Sequence, residues 1–172
     1  EIEKGLVKLF LMGKDVKRYT SLVPKYVVIF PYMIVDNKAE LMDIQYIKEK
    51  FPLGYDYLIQ NKKALEEREN GKFKTTWWQF GRPQNITEFE TEKIMTPDIS
   101  IRPQFTFDTN HTYHTTTVFS LSFNDKKINN TLYYLGILNS SLMSFHMKNV
   151  GTTLRGGYTR FHKQYIETFK IK

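Results

Sequence analysis

Short apolar runs separated by polar turns dominate the first and middle parts of the chain. Residues 6–12 form an apolar run that ends at Gly13-Lys14-Asp15, and residues 26–35 are β-branched and aromatic. The second run predicts a strand that is broken or bent at Pro31, since proline lacks the N–H that a strand ladder uses. Further short strands are predicted near residues 92–96, 104–107, 112–114 and 116–123.

Helical periodicity appears in four other segments. Residues 40–50 predict a helix that Phe51-Pro52-Leu53-Gly54 ends, and residues 55–69 predict a second helix that ends at Asn70-Gly71. Residues 131–147 give the clearest helix, in which Leu132, Leu135, Leu138 and Leu142 are predicted to face the core. A short helix is predicted through residues 162–168. Strands and helices mixed in this way indicate an α+β fold, a mixed twisted β-sheet with flanking helices.

The length and the absence of a dividing linker predict one domain over residues 1–172. The chain carries a net charge of +7 and a pI of about 9.4. The charge is uneven, because residues 141–172 hold six Lys or Arg and one acidic residue. This excess favours nucleic acid or an anionic membrane as partner. A membrane surface is disfavoured, because the 131–147 helix has only Lys148 at its edge rather than a basic face.

The lack of cysteine excludes disulfides and thiolate metal sites. No apolar run approaches the ~18–20 residues of a membrane span, and no signal peptide is visible. We therefore expect a cytoplasmic protein without a membrane partner. The chain opens at Glu1 rather than Met, which leads us to expect a piece cut from a longer protein.

Enzyme signatures give little support for catalysis by this chain. The Gly156-Gly157 pair is not part of a phosphate-binding loop, and no Asn-Pro-Pro-Tyr tetrapeptide of an adenine methyltransferase occurs. Pro97-Asp98 could open a nuclease motif, but we expect no (Asp/Glu)-x-Lys partner at a useful distance. His111 and His114 are three residues apart in a Thr/Tyr-rich stretch, where a strand would point them to opposite sides, so zinc is disfavoured.

Two basic loops are the stronger candidates. Residues 151–160 combine Arg155, Tyr158 and Arg160 with glycines that allow close backbone approach to a ligand. An ordinary surface turn is an equally good interpretation of that loop from its sequence alone. Gly13–Tyr19 is the second basic cluster, and a solvated turn is its simpler interpretation. For Trp77-Trp78, packing in a core is favoured over stacking on bases.

In their order along the chain, several segments resemble the TaqI-like C-terminal specificity domain, which occurs in Type IIG restriction–modification enzymes and related adenine-N6 DNA methyltransferases. The segments that carry the resemblance are Gly13–Tyr19, Tyr26–Pro31, Tyr57–Arg68, Trp77-Trp78 with Gly81-Arg82-Pro83, Glu92–Ile99, Tyr134–Ser140, Arg155–Tyr158 and Gln164–Ile166. Each motif is weak alone, and their order and spacing over nearly the whole chain make the match specific.

The resemblance implies a DNA target-recognition domain with no catalytic residues of its own. Its partners would be double-stranded DNA and the N-terminal methyltransferase domain of the same polypeptide. That parent would bind S-adenosylmethionine and flip out an adenine, and it would use Mg²⁺ if it also carried a nuclease. No cofactor is expected in this chain, and Pro97-Asp98 becomes a family landmark with a structural role.

The hypothesis divides the basic residues between two tasks. Some would contact phosphates and fix the register on DNA without reading sequence, namely Lys14, Lys17, Arg18, Arg82, Lys148 and Lys163. Arg155, Tyr158 and Arg160 are the candidates for a cleft in which base edges are read. The main alternative is a protein–protein interaction module, and a second alternative is a small hydrolase or nuclease with a scattered active site.

Overall fold

The computed structural model describes residues 1–83, 85–122 and 130–170, and its short strands and helices confirm the α+β class. The chain forms two compact units, one of residues 1–8 and 27–90, the other of residues 9–26 and 91–172. The strands are β1 Val7–Leu11, β2 Tyr26–Ile29, β3 Tyr32–Val35, β4 Lys38–Leu41, β5 Lys93–Pro97, β6 Ile99–Ser100, β7 Thr106–Asp108, β8 Tyr113–His114, β9 Val118–Leu121 and β10 Thr159–Arg160. The helices are α1 Ile44–Lys50, α2 Pro52–Gln60, α3 Lys62–Glu66, α4 Thr131–Leu138, α5 Ser141–Val150 and α6 Lys163–Ile166. That the whole chain acts as one recognition domain stays a prediction.

A β-hairpin in the first unit replaces the start of the helix predicted for residues 40–50. Strands β3 and β4 pair antiparallel around Asp36-Asn37, whose φ angles are 48° and 59°. Two successive positive φ values give the tight reversal that hairpins favour, and Asp and Asn tolerate it best. The helix prediction was therefore wrong for residues 40–41. Helix α1 begins at Ile44, where the Asp43 carboxylate accepts a hydrogen bond from the Gln45 N–H at 2.7 Å.

The helix predicted for residues 55–69 begins earlier and is broken. The Glu3 carboxylate accepts hydrogen bonds from the N–H groups of Leu53 and Gly54, at 2.8 and 2.9 Å, so α2 begins at Pro52. The helix then breaks at Asn61, and α3 ends at Glu66, four residues before the predicted stop. Asn70 and Gly71 do reverse the chain, with φ angles of 59° and 79°.

The core of the first unit confirms the interpretation of the tryptophans. Trp77 is 5% exposed and packs with four other buried side chains, and Trp78 packs against that cluster. The Trp78 indole N–H donates to the Met42 carbonyl at 2.9 Å, which satisfies its polar group. The buried members of this cluster are Leu6, Met42, Ile47, Leu58 and Trp77.

Strand β5 is the centre of the second unit. It pairs antiparallel with β7 on one side and with β9 on the other, and all five of its residues are buried. The strands predicted near residues 92–96, 104–107 and 112–114 are confirmed with small shifts of their ends. Strand β9 confirms residues 118–121 of the 116–123 prediction, residues 116–117 form a turn, and Phe123 lies outside the described residues. Strand β8 pairs in parallel with β1, through Phe10↔Tyr113 and Leu11↔His114.

The helix predicted for residues 131–147 is two helices, α4 and α5, separated at Asn139-Ser140. The Ser140 hydroxyl accepts a hydrogen bond from the Met143 N–H at 3.2 Å and so starts α5 afresh. The break changes which residues face inward. Leu135 and Leu138 are in the core as predicted, whereas Leu132 and Leu142 are 74% and 62% exposed, so their core assignment was wrong. The buried apolar face of α5 is formed by Met143 and Met147 instead of Leu142.

The short helix predicted for residues 162–168 is confirmed in its middle, where α6 spans Lys163–Ile166. Within the described residues, no helix has both the length and the apolar character that crossing a membrane would need.

Candidate nucleic-acid interface

The basic turn at residues 13–17 holds two exposed lysines on either side of a buried valine. Val16 is fully buried in a small core cluster, whereas Lys14 and Lys17 on either side of it are exposed. The turn lies against Thr117, whose hydroxyl accepts a hydrogen bond from the Gly13 N–H at 3.0 Å. A Cβ on Gly13 would come within 2.7 Å of the Thr117 carbonyl oxygen, so this approach requires glycine. The turn is thus fixed, and both lysine side chains extend from it.

The loop predicted at residues 151–160 is a small hairpin. Strand β10 pairs antiparallel with β6 through Thr159↔Ser100 and Arg160↔Ile99. The Leu154 N–H donates to the Tyr158 carbonyl at 2.7 Å, and the tip between them turns through Gly156 and Gly157, whose φ angles are 82° and 78°. Two adjacent positive φ values explain the glycine pair.

Asp98 anchors this hairpin. The Arg160 guanidinium donates to the Asp98 carboxylate at 2.9 Å, and the Phe161 N–H donates to the Asp98 carbonyl at 2.6 Å. Asp98 is only 8% exposed, so its charge is compensated by the arginine rather than by water. Arg160, predicted for a cleft, therefore makes a structural ion pair beside the cavity described next.

The Gly13–Lys17 turn, the Pro97–Gln104 segment and the hairpin surround an open cavity of about 1020 Å³, which we call the basic cavity. Three cationic side chains line it, and its one acidic lining residue among those described, Asp98, is ion-paired with Arg160. The cavity is therefore a positively charged recess with an aromatic wall. Its lining residues with charged or aromatic side chains are Lys14, Lys17, Arg102, Asp98 and Tyr158.

A second hollow of about 570 Å³ in the same unit, which we call the serine groove, contains two more of the predicted residues. It is lined by Arg18, Tyr19, Arg102, Pro103, Asn139, Ser140, Ser141, Ser144, Phe145 and Lys148. Arg102 lines both hollows, so the basic cavity and the serine groove are neighbours.

The remaining predicted residues lie elsewhere. Arg82 is exposed in the first unit, and Arg155 is exposed near the hairpin tip. Lys163 on α6 forms an ion pair with Glu167 at 3.3 Å. The structure thus brings Lys14, Lys17 and Tyr158 together in one cavity, and the role of all nine residues in DNA binding stays a prediction.

Arg102 was missed by sequence reasoning. It stands in Ile101-Arg102-Pro103, a segment without a motif, directly after the landmark that ends at Ile99. The only local signal in the sequence is an arginine that precedes a proline. Its position in the cavity depends on the pairing of β6 with β10, which is distant in sequence.

The prediction that no (Asp/Glu)-x-Lys tripeptide follows Pro97-Asp98 at a useful distance overlooked one candidate. Asp125-Lys126-Lys127 is an Asp-x-Lys tripeptide downstream of Asp98, and it lies outside the described residues. Asp98 itself is buried and bonded to Arg160, which agrees with a structural landmark. Among residues 1–83, 85–122 and 130–170, no group of three or more His, Asp or Glu is placed to hold a metal ion.

His114 lies beside the basic cavity and has a shifted pKa. Burial lowers the pKa of His114 from 6.5 to about 4. In the neutral ring, Nδ1–H donates to the Thr115 carbonyl at 2.9 Å. Because Thr115 and Thr117 line the cavity, the ionisation of His114 is linked to the stability of this wall.

Acidification is therefore expected to destabilise the fold. An unfolded histidine binds its proton as the pH falls through 6.5, while folded His114 stays neutral until about pH 4. Stability is thus complete above pH 6.5 and is lost between those two values, with a loss of about 2 kcal/mol between pH 7 and pH 5. Urea unfolding of the chain and of His114→Asn at both pH values measures this. The exposed His111→Asn is the control, and equal pH dependence of the two variants would contradict the assignment.

Comparison with known proteins identifies the family of this chain. The type II methyltransferase M.BanIII of Aneurinibacillus aneurinilyticus is 28% identical over 125 residues, which are 71% of this chain. The chain spans only 22% of that relative's length. Residues 8–171 match the family described as the TaqI-like C-terminal specificity domain, which is nearly the whole chain and includes both hollows. The chain therefore belongs to the TaqI-like C-terminal specificity domain family.

Proposed function

We propose that this chain recognises a DNA target for a restriction–modification methyltransferase, and that the basic cavity faces the duplex. The observation that carries the proposal is the convergence of Lys14, Lys17 and Arg102 in one open recess of a specificity domain. Cations in a recess attract the phosphate backbone and account for sequence-independent affinity, and the one described acidic residue of the lining is already paired with Arg160.

Within the cavity, two kinds of contact are proposed. The exposed Lys14 and Lys17 ammonium groups act as point charges on phosphates, since lysine lacks the planar fork that matches a base edge. Arg102 and Tyr158 have planar groups that can stack on or hydrogen-bond to bases. Arg160 contributes by holding Asp98 and the hairpin, and it thereby places Tyr158 at the cavity wall.

The parent enzyme is also part of the proposal. We infer a site-specific DNA adenine-N6 methyltransferase of the Type IIG kind, with the N-terminal methyltransferase domain of the same polypeptide as the partner of this chain. S-adenosylmethionine, and Mg²⁺ for any nuclease, are assigned to that remainder. This chain positions the duplex and carries out no chemical step itself. We propose that the enzyme acts in the cytoplasm.

The lysine pair gives a specific test. Each phosphate contact contributes about 0.9 to the slope of log affinity against log salt, so Lys14→Ala/Lys17→Ala is expected to reduce that slope by nearly 2. The measurement is fluorescence-polarisation binding to a random-sequence duplex between about 50 and 200 mM salt. The control is Lys72→Ala, because Lys72 is ion-paired with Glu69 at 3.8 Å in the first unit. A double variant with the slope of the unsubstituted chain would contradict the proposal.

The alternative function, a protein–protein interaction module, has one observation in its favour. Leu132, Leu142 and Phe145 on α4 and α5 are more than 60% exposed, with values of 74%, 62% and 67%. Leu142 and Phe145 lie three residues apart on α5, and apolar side chains exposed on one helix face are typical of a surface that another protein covers. Under this alternative, binding of the chain to DNA would be absent or unspecific.

A further inference from the structure

We propose that the serine groove is a second anion site, which binds a backbone phosphate of DNA next to the basic cavity. The inference rests on the proposed function and adds a distinct site to it. Arg18, Arg102 and Lys148 line the groove, and none of its ten described lining residues is acidic. Three cations without a carboxylate concentrate anions in the groove.

Arg18 is held in place for this role. Its Nη2 group donates to the Asn139 carbonyl at 3.1 Å, and its guanidinium lies 5.0 Å from the centre of the Tyr19 ring. Asn139 is itself fixed, since its side chain exchanges two hydrogen bonds with the backbone of Phe105. A guanidinium has five N–H donors, so the bond to Asn139 leaves donors for a ligand. The arginine is thus positioned before an anion arrives, which reduces the entropy cost of binding.

The wall of the groove supplies further donors. Ser141, Ser144 and Lys148 follow one another at steps of three and four along α5, so they share one face of that helix. Two hydroxyl groups and an ammonium beside a guanidinium match the several acceptor oxygens of a phosphate better than a planar carboxylate.

The position of the groove indicates a phosphate of the same DNA rather than a free anion. Because Arg102 lines both hollows, a strand whose phosphates lie against Lys14 and Lys17 would place another phosphate towards Arg18. Contacts of this kind fix the register of the duplex and carry no sequence information. The groove is therefore expected to strengthen binding to all sequences equally.

The test compares Arg18→Ala and Lys148→Ala with the unsubstituted chain in salt titrations on two unrelated duplexes. Each variant is expected to lower the salt slope by about 0.9, and by the same amount on both duplexes. Arg18→Lys should keep the slope, because it keeps the charge, and Lys72→Ala is again the control. Thermal unfolding of each variant separates lost binding from lost folding, and the exposed Lys148 gives a variant in which folding is unaffected.

The outcomes separate the two proposals. Unchanged slopes in both variants, with normal binding by the unsubstituted chain, overturn the groove and leave the proposed function in place. The groove is also overturned if inorganic phosphate at constant ionic strength displaces DNA from the Arg18 and Lys148 variants as readily as from the unsubstituted chain. A chain that binds no DNA at any salt concentration contradicts the proposed function, and the groove with it.

Discussion

Replacing Asp108 with alanine is expected to lower the free energy of unfolding by about 3–5 kcal/mol, the usual cost of removing one partner of a buried ion pair. The Asp108 carboxylate accepts a hydrogen bond from Lys93 Nζ at 2.7 Å, and both side chains are almost completely buried. Removal of the carboxylate takes away the buried negative charge that lies 2.7 Å from the Lys93 ammonium. Strands β5 and β7, which carry the two residues, would lose their ionic link.

The carboxylate also organises the chain after β7. It accepts hydrogen bonds from the Asn110 N–H at 3.0 Å, from the Thr112 N–H at 2.8 Å and from the Thr112 hydroxyl at 3.0 Å. These bonds shape the turn that leads to β8, so a variant without the carboxylate loses the turn as well as the ion pair.

Urea unfolding followed by circular dichroism measures the effect. Asp56→Ala is the matched control, since Asp56 is exposed on α2 and a surface substitution usually changes stability by no more than about 0.5 kcal/mol. If Asp108→Ala were no less stable than Asp56→Ala, the buried ion pair would not support the second unit.

Asn139→Ala is expected to cost about 2–3 kcal/mol, because it removes two hydrogen bonds to buried backbone groups. Asn139 Oδ1 accepts from the Phe105 N–H at 2.9 Å, and its Nδ2 donates to the Phe105 carbonyl at 2.8 Å. This clamp joins the α4–α5 break to the segment that leads into β7. Its loss would also release the carbonyl that positions Arg18, so weaker DNA binding should accompany the lower stability.

The control for this variant is Asn149→Ala. Asn149 is exposed on α5, and its side chain donates only to the carbonyl of Phe145 one turn earlier. Equal urea midpoints and equal dependence of the unfolding free energy on urea for the two variants would contradict a stabilising role of the Asn139–Phe105 hydrogen bonds.

The sequence predicted those parts of the fold that depend on local chemistry. Pro31 separates β2 from β3, and the glycine pair at 156–157 marks a reversal, because the backbone preferences of proline and glycine act within a few residues. The hairpin at Asp36-Asn37 was also readable from its turn residues, but the helical periodicity of the following segment concealed it.

Features that depend on distant partners were not predictable from the sequence. Leucines recur through residues 131–147 as in one helix, yet Asn139 interrupts it because its amide pairs with Phe105, 34 residues earlier. Leu142, which lies beyond the break, is exposed for the same reason. Likewise, Arg102 reaches the basic cavity through strand pairing. Lys14 and Lys17 could be proposed from the sequence because they belong to the local basic cluster Gly13–Tyr19.

DNA recognition by this chain is tested most directly by the salt dependence of its binding to a random-sequence duplex, measured by fluorescence polarisation from about 50 to 200 mM salt. Three cations in the basic cavity and two more in the serine groove predict a slope of about −4.5 in log affinity against log salt. Absence of binding at the lowest salt concentration, or binding with a slope near zero, would contradict DNA recognition through these five cations.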